Sequence, residues 1–418
     1  MRSMRLTRPP PLTVWVPERS GSPTVRTGFR NSVPPVVCVS HNRAMTDALM
    51  ITSSFLPGQG GIESYLDQLS VELAPDVAVM AAGRRGGSPI PEGLPYPTIG
   101  HTGSMLLPTR RLARAICAEA ENLGTDRIIF GTPWPLLLLA PHLAATGLRY
   151  AVIVHGAELI APGAVPLLRG KLGRALAGAE LLLPVSHYTA DKAAGLIRRA
   201  GLAIPPVEIL RARVDLSKFS PDADAAAART RIDCGETVPL ILVFGRLVAR
   251  KGVHRLIRAL PEIEQRVPGT TLVVGGTGPE EKRLKRLAAR TGGRVIFTGR
   301  VPHEEAPGLY AAANIFVLPV VDRWFGLEIE GLGVVLLEAQ AAGTPCVTGR
   351  SGGTPEAVLN DQTGFVVDGR DRSALVEATT RLLSDRALAE TMATAGREHV
   401  RAEFSERPLP EALRTWLS

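Results

Sequence analysis

Cysteine is scarce in this chain: Cys38, Cys117, Cys234 and Cys346 are the four among 418 residues. No two stand at the short spacing of a zinc site or a disulfide framework, which excludes both as organising devices and points to a reducing compartment. Long apolar runs are missing too. Nothing approaches the roughly 18 consecutive apolar residues needed to cross a bilayer, so the expectation is a soluble or at most peripheral chain. Aromatic residues make up only 5%, while 45% of the chain is hydrophobic, so any large core has to be mainly aliphatic. At 418 residues the chain outgrows one ordinary core and suits two domains.

Acids are nearly missing from residues 1–44, which hold seven Arg against one Glu and are rich in Pro and Ser. Their net charge of +6 leaves only +2 of the chain's +8 for residues 45–418. The isoelectric point near 9.7 therefore says little about the globular part. A transit peptide or a nucleic-acid arm would also be Arg-rich and acid-poor. With no sustained periodicity and no apolar signal segment, the expectation is a disordered leader or a start assigned upstream of Met45, and no nucleic-acid partner.

What is present begins with alternation. Short apolar runs at 48–53, 77–81, 127–130, 150–154 and 181–185 are separated by helical stretches, and 62–73 carries a stripe at Ile62, Leu66, Leu69 and Leu73. A second series has strands at 240–244, 271–274, 295–297 and 315–318. Helices at 372–383, 387–404 and 408–417 close the chain. Such βα alternation predicts an α/β fold with parallel sheets, whose functional side chains gather at the carboxyl ends of the strands. His155 stands at one such end. The turn GGTGPEE after 274 lacks the full dinucleotide spacing and the later acid, which argues against a dehydrogenase. Asp222 and Asp224 form a DxD in an alanine-rich connector with no strand before it, so they read as solvated charge and imply no metal.

The most informative stretch is 325–345, FGLEIEGLGVVLLEAQAAGTP. Gly331 to Gly333 reads as a loop and Val334 to Ala342 as a helix, so Glu330 precedes a helix mouth that Glu338 lies within. Free amides at a helix mouth suit a phosphate, and a carboxylate accepts hydrogen bonds from adjacent sugar hydroxyls. Arg246 and Lys251, in GRLVARKG, flank another strand-to-helix turn. Cations there oppose the helix dipole, a placement that suggests an anion between them. A departing diphosphate is such an anion, and fixed cations would offset its developing charge. Residues 105–118, MLLPTRRLARAICA, place apolar residues ahead of Arg110, Arg111 and Arg114. This reads as a solvated helix or as a segment lying on anionic lipid, with Arg169, Lys171 and Arg174 as an extension.

The pair Glu330 and Glu338, its flanking glycines and the following SGGTPEAV resemble the signature of retaining GT-B glycosyltransferases of family 4. The likeness is greatest to the actinobacterial mannosyltransferases that act on phosphatidylinositol mannosides with GDP-mannose, and it covers 47–403. It implies two Rossmann-like domains facing across a cleft: 45–213 on the acceptor side and 214–400 binding the nucleotide sugar, with 401–418 returning to the first. Gly60 and Gly61 would meet the diphosphate and His155 the donor sugar. Arg246 and Lys251 would bind the diphosphate, and Arg300 and Val301 would frame the base. Glu330 would hold sugar hydroxyls and Glu338 the ribose diol, while Gly333, Val334, Val335 and Leu336 would offer amides to phosphate. No metal or separate cofactor is implied. The expected place is the cytoplasm, on the inner face of an anionic membrane. Where these relatives continue with a second histidine and a tryptophan, this chain has Ala157 and Leu159. Two alternatives stay open: a UDP-sugar with another acceptor, and an idle homologue that only binds nucleotide sugar. A glycosidase would want two carboxylates flanking the scissile bond.

Overall fold

The computed structural model describes residues 46–58, 60–82, 84–85, 88–101, 105–324 and 326–418. The expected leader, 1–44, lies outside them. Two six-stranded parallel sheets form the framework. The first contains β1 (Ala48–Ile51), β2 (Val77–Ala82), β3 (Thr98–His101), β4 (Arg127–Phe130), β5 (Arg149–Val154) and β6 (Leu181–Pro184). The second contains β7 (Leu240–Phe244), β8 (Thr271–Gly275), β9 (Arg294–Gly299), β10 (Ile315–Leu318), β11 (Cys346–Gly349) and β12 (Gly364–Val367). Both sheets run in the order 3-2-1-4-5-6 when each is counted from its own first strand. In that doubly wound order the first and fourth strands are neighbours. Their connections leave in opposite directions, and the opening above their carboxyl ends is where such folds bind ligands.

Side-chain chemistry accounts for the strands. Those covered on both faces need apolar residues at every position, and LILVF and IFVL supply them. All four residues of β10 are fully buried, each such side chain worth roughly 1.5–3 kcal/mol of transfer free energy. Three strands lack that signature: β3 is half-exposed at a sheet edge, while β11 and β12 contain Thr and Gly. Several helix starts are set by side-chain caps. Thr109 accepts from the Leu112 amide ahead of Arg110–Leu123, and Asp371 and Asp385 do the same for the helices behind them. The helix expected at 387–404 runs Arg386–Val400 and then widens into a π turn over Arg401–Ser405.

Two compact units contain these sheets. The first has residues 46–213 with Asp322–Leu332 and Arg407–Ser418; the second has Val214–Val321 and Gly333–Glu406. Asp322–Leu332 thus packs with the first unit, although in sequence it lies between β10 and the helix Val334–Ala341 of the second. Among the described residues, no helix is long and apolar enough to cross a membrane.

Candidate active site

In the first unit, His155 follows β5 and is 7% exposed. Its Nε2 lies 2.8 Å from the Gly131 carbonyl oxygen, just past β4. A carbonyl only accepts, so Nε2 donates its proton to it. Tyr65 meets this ring edge-on at 5.2 Å between centroids, and its hydroxyl donates to the Leu210 carbonyl. Glu158 completes the turn: its Oε1 accepts from the amides of His155 (2.6 Å) and Gly156 (3.0 Å). A carboxylate tied to two successive main-chain amides fixes the backbone that presents the histidine.

That same turn meets the Glu330 segment. A Cβ at Gly331 would stand 2.2 Å from the His155 carbonyl oxygen, so only glycine permits the approach. Ser186, which caps its own helix, donates to the Gly331 carbonyl at 3.2 Å. Glu330 itself is 8% exposed, behind the fully buried Ile329. His155 and Glu330, 175 positions apart in the numbering, are therefore brought together. Gly60 and Gly61 open the helix Gly61–Glu72, but a Cβ at Gly60 would come within 2.5 Å of the Glu63 carboxylate. The glycine makes room for that side chain.

In the second unit the ends of β7, β8 and β9 are laced by main-chain bonds from Gly245 to Gly275, Leu247 to Thr277 and Gly276 to Gly299. GGTGPEE is thus part of this lacing. It carries the exposed Arg246 and Arg300, with half-buried Val301, along one sheet edge. Lys251 ends a 3-10 turn (Ala249–Lys251) and is 8% exposed. Gly252 follows with φ +71°, and a Cβ there would lie 1.9 Å from the Pro319 carbonyl oxygen, so the turn is locked against the end of β10.

Glu338 lies on the helix Val334–Ala341, and its Oε2 accepts from the Tyr310 hydroxyl at 2.6 Å. Burial pushes the Glu338 carboxyl up; the Tyr310 bond and the charges of Lys218 and Lys251 pull it back. Lys251 and Glu338 are thus within electrostatic reach of one another. Gly333 precedes this helix with φ +89°, beside the Thr354 side chain of SGGTPEAV. Val334 and Val335 are half-buried. The Leu336 amide donates to the Gly333 carbonyl at 2.8 Å and its side chain is fully buried. Asp224 caps the helix Ala225–Arg231 and Asp222 accepts from Ser220.

Tyr310 and Lys218 are the residues that sequence reasoning missed. Lys218 follows an Asp215 turn in which the carboxylate accepts from Ser217 and the Lys218 amide, holding its carboxyl below the usual range. The cation in VDLSKF, residues 214–219, was the available signal. Replacing Tyr310 with Phe gives a pH test. Glu338 ionises above the ordinary glutamate value of about 4.3, so its carboxylate form is lost as pH falls through that raised value. Removing the hydroxyl removes a bond to the charged form, which raises the carboxyl further. Calorimetric titration with nucleotide sugar should therefore show weakening that sets in at higher pH for Tyr310→Phe than for the wild type. An unchanged acid limb would separate Tyr310 from donor binding. In the linkage sense, ionising Glu338 costs stability as pH rises from the ordinary value to the raised one.

Comparison with known proteins follows the same lines. Residues 226–399 match the family model described as glycosyl transferases group 1. A GDP-mannose-dependent alpha-(1-6)-phosphatidylinositol monomannoside mannosyltransferase from Mycolicibacterium smegmatis is 38% identical over 358 residues, covering 84% of this chain and 92% of that protein. Its monoacylated-acceptor counterpart from Corynebacterium glutamicum is 35% identical over 379 residues, covering 88% and 97%. Among solved structures, sucrose-phosphate synthase from Thermosynechococcus elongatus superposes with a TM-score of 0.70 at 23% identity, covering 86% of this chain and 95% of that one. The fold is accordingly of the GT-B kind, and the chain belongs to the group 1 glycosyl transferases, enzymes of sugar transfer.

Proposed function

We propose that this chain transfers mannose from GDP-mannose, with retention, to a lipid-linked acceptor of the phosphatidylinositol-mannoside type. One observation carries the sugar-nucleotide part: Glu338, held by Tyr310, lies in the field of Lys218 and Lys251. That arrangement supports reading Glu338 as a diol acceptor beside cations suited to a diphosphate. The choice of mannose, GDP and acceptor follows the printed activities of the two mannosyltransferases.

In this reading Arg246 and Lys251 take up charge as the sugar C1–O bond to phosphate breaks. The acceptor oxygen bonds to C1 on the same face, its proton passes to the departing phosphate oxygen, and GDP leaves. Glu330 holds donor hydroxyls and His155 lies against the sugar. Gly333, Val334 and Val335 offer main-chain contacts and Arg300 and Val301 frame the base. No metal or separate cofactor takes part; Asp222 and Asp224 are engaged in local capping.

The acceptor side is proposed to rest on the inner, cytoplasmic face of an anionic membrane. Met105 and Leu107 are 54% and 50% exposed immediately before the exposed Arg110, Arg111 and Arg114. Apolar tips beside arginines suit a head-group layer. The test is GDP release and anomeric configuration of the product, with acceptor offered in anionic vesicles, in neutral vesicles and as the deacylated head group. Release from GDP-mannose that needs acceptor, gives the α product and rises on anionic vesicles is the expected result. Reversing the charges of Arg110, Arg111 and Arg114 should remove the vesicle gain and spare the deacylated substrate. Equal turnover of UDP-sugars, or none of any donor, overturns the reading.

A further inference from the structure

The segment Asp322–Leu332 contains a small closed loop. Arg323 and Glu328 exchange two main-chain hydrogen bonds, at 2.9 and 3.2 Å, and their side chains pair at 2.9 Å. Inside it Gly326 donates to Arg323 and Leu327 to Trp324. This closure holds out an indole that a folded chain would ordinarily cover: Trp324 is 65% exposed, and Leu327 beside it is 39% exposed. Trp324 also has φ +51°, the left-handed region that bulky side chains avoid. A strained residue kept by surrounding bonds, with a large aromatic surface in water, is a combination found at ligand clamps. The Arg323 guanidinium lies 5.5 Å from the indole centroid, stiffening the platform and placing positive charge at its edge.

What the platform fits follows from where the chain goes next. Glu330 stands two residues beyond the closing Glu328, in the same segment and unit. Strand spacing and chain step keep the two backbones within about 16 Å. Resting on the donor role proposed for Glu330, we infer that Trp324 stacks the polyol ring of the acceptor, hexose or cyclitol, with Arg323 beside that acceptor's phosphodiester. A ring of this class presents C–H bonds on one face and hydroxyls around its rim, so it can lie on an indole and still be solvated at its edges.

The test compares Trp324→Ala and Trp324→Phe with the wild type on the deacylated acceptor head group and on the same acceptor in vesicles. Stacking predicts an acceptor KM raised about tenfold in Trp324→Ala and less in Trp324→Phe, on both forms of acceptor. Donor affinity, read by thermal shift, should stay within twofold. An unchanged acceptor KM overturns the inference while transfer itself stands. So does a loss confined to vesicles, which would make Trp324 a bilayer anchor, and so does an equal loss of donor affinity. Wild-type protein that transfers to neither form overturns the parent reading as well.

Discussion

Glu330→Ala is expected to lower kcat/KM for transfer by roughly 10³-fold while the protein stays folded. Two charge-assisted bonds to sugar hydroxyls are worth about 1.5–3 kcal/mol each, and each 1.4 kcal/mol is a tenfold change. The carboxylate is 8% exposed, so water would replace those bonds poorly. Loosening of the segment is the competing explanation, since Gly331 is pressed on the His155 carbonyl and held by Ser186. Thermal melting separates the two: a loss of turnover with an unchanged Tm assigns Glu330 to the donor, and a parallel fall in both assigns it to the fold. Retained activity in the variant would remove Glu330 from the reaction. The wild-type rate also decides against an idle homologue.

Lys251→Ala should reduce kcat by roughly 10²–10³-fold, the range seen when one fixed group that stabilises developing charge is removed. Arg246→Ala should fall less steeply, because Arg246 is exposed and water can partly replace it, whereas Lys251 is buried in a locked turn. Arginine should be a poor substitute at 251. Its planar fork needs more room than the compact ammonium, and the Gly252–Pro319 contact prevents the turn from yielding. A second readout is independent of rate. Lys251 holds the Glu338 carboxyl down, so its loss should shift the acid limb of donor binding to higher pH. A change below threefold in kcat, with no movement of that limb, would leave Lys251 a structural cation.

Much of this was legible before any coordinates, for physical reasons that differ by element. LILVF and IFVL announce doubly covered strands because every position must be apolar. TIGH, CVTG and GFVV do not, since an edge strand needs only partial cover and glycine or threonine blurs the run. The acids and cations at 246, 251, 330 and 338 stand out because charge in apolar βα turns requires a reason. Tyr310 does not stand out. It reaches Glu338 across 28 residues of chain, and nothing local distinguishes its hydroxyl from that of a packing tyrosine.

The chain leaves the second unit after Val321, returns at Gly333, and ends with Arg407–Ser418 in the first, where the Leu417 carbonyl accepts from Arg127 and Trp416 donates to Glu180. Neither unit is therefore a continuous length of polypeptide. A gene fusion that grafted 214–406 onto a different first unit would import Asp322–Leu332 without its own partner surface and abandon the tail. Exchange of halves between such enzymes has to be sought by rewriting four crossings at once, and a single recombination point leaves Glu330 on a borrowed ledge.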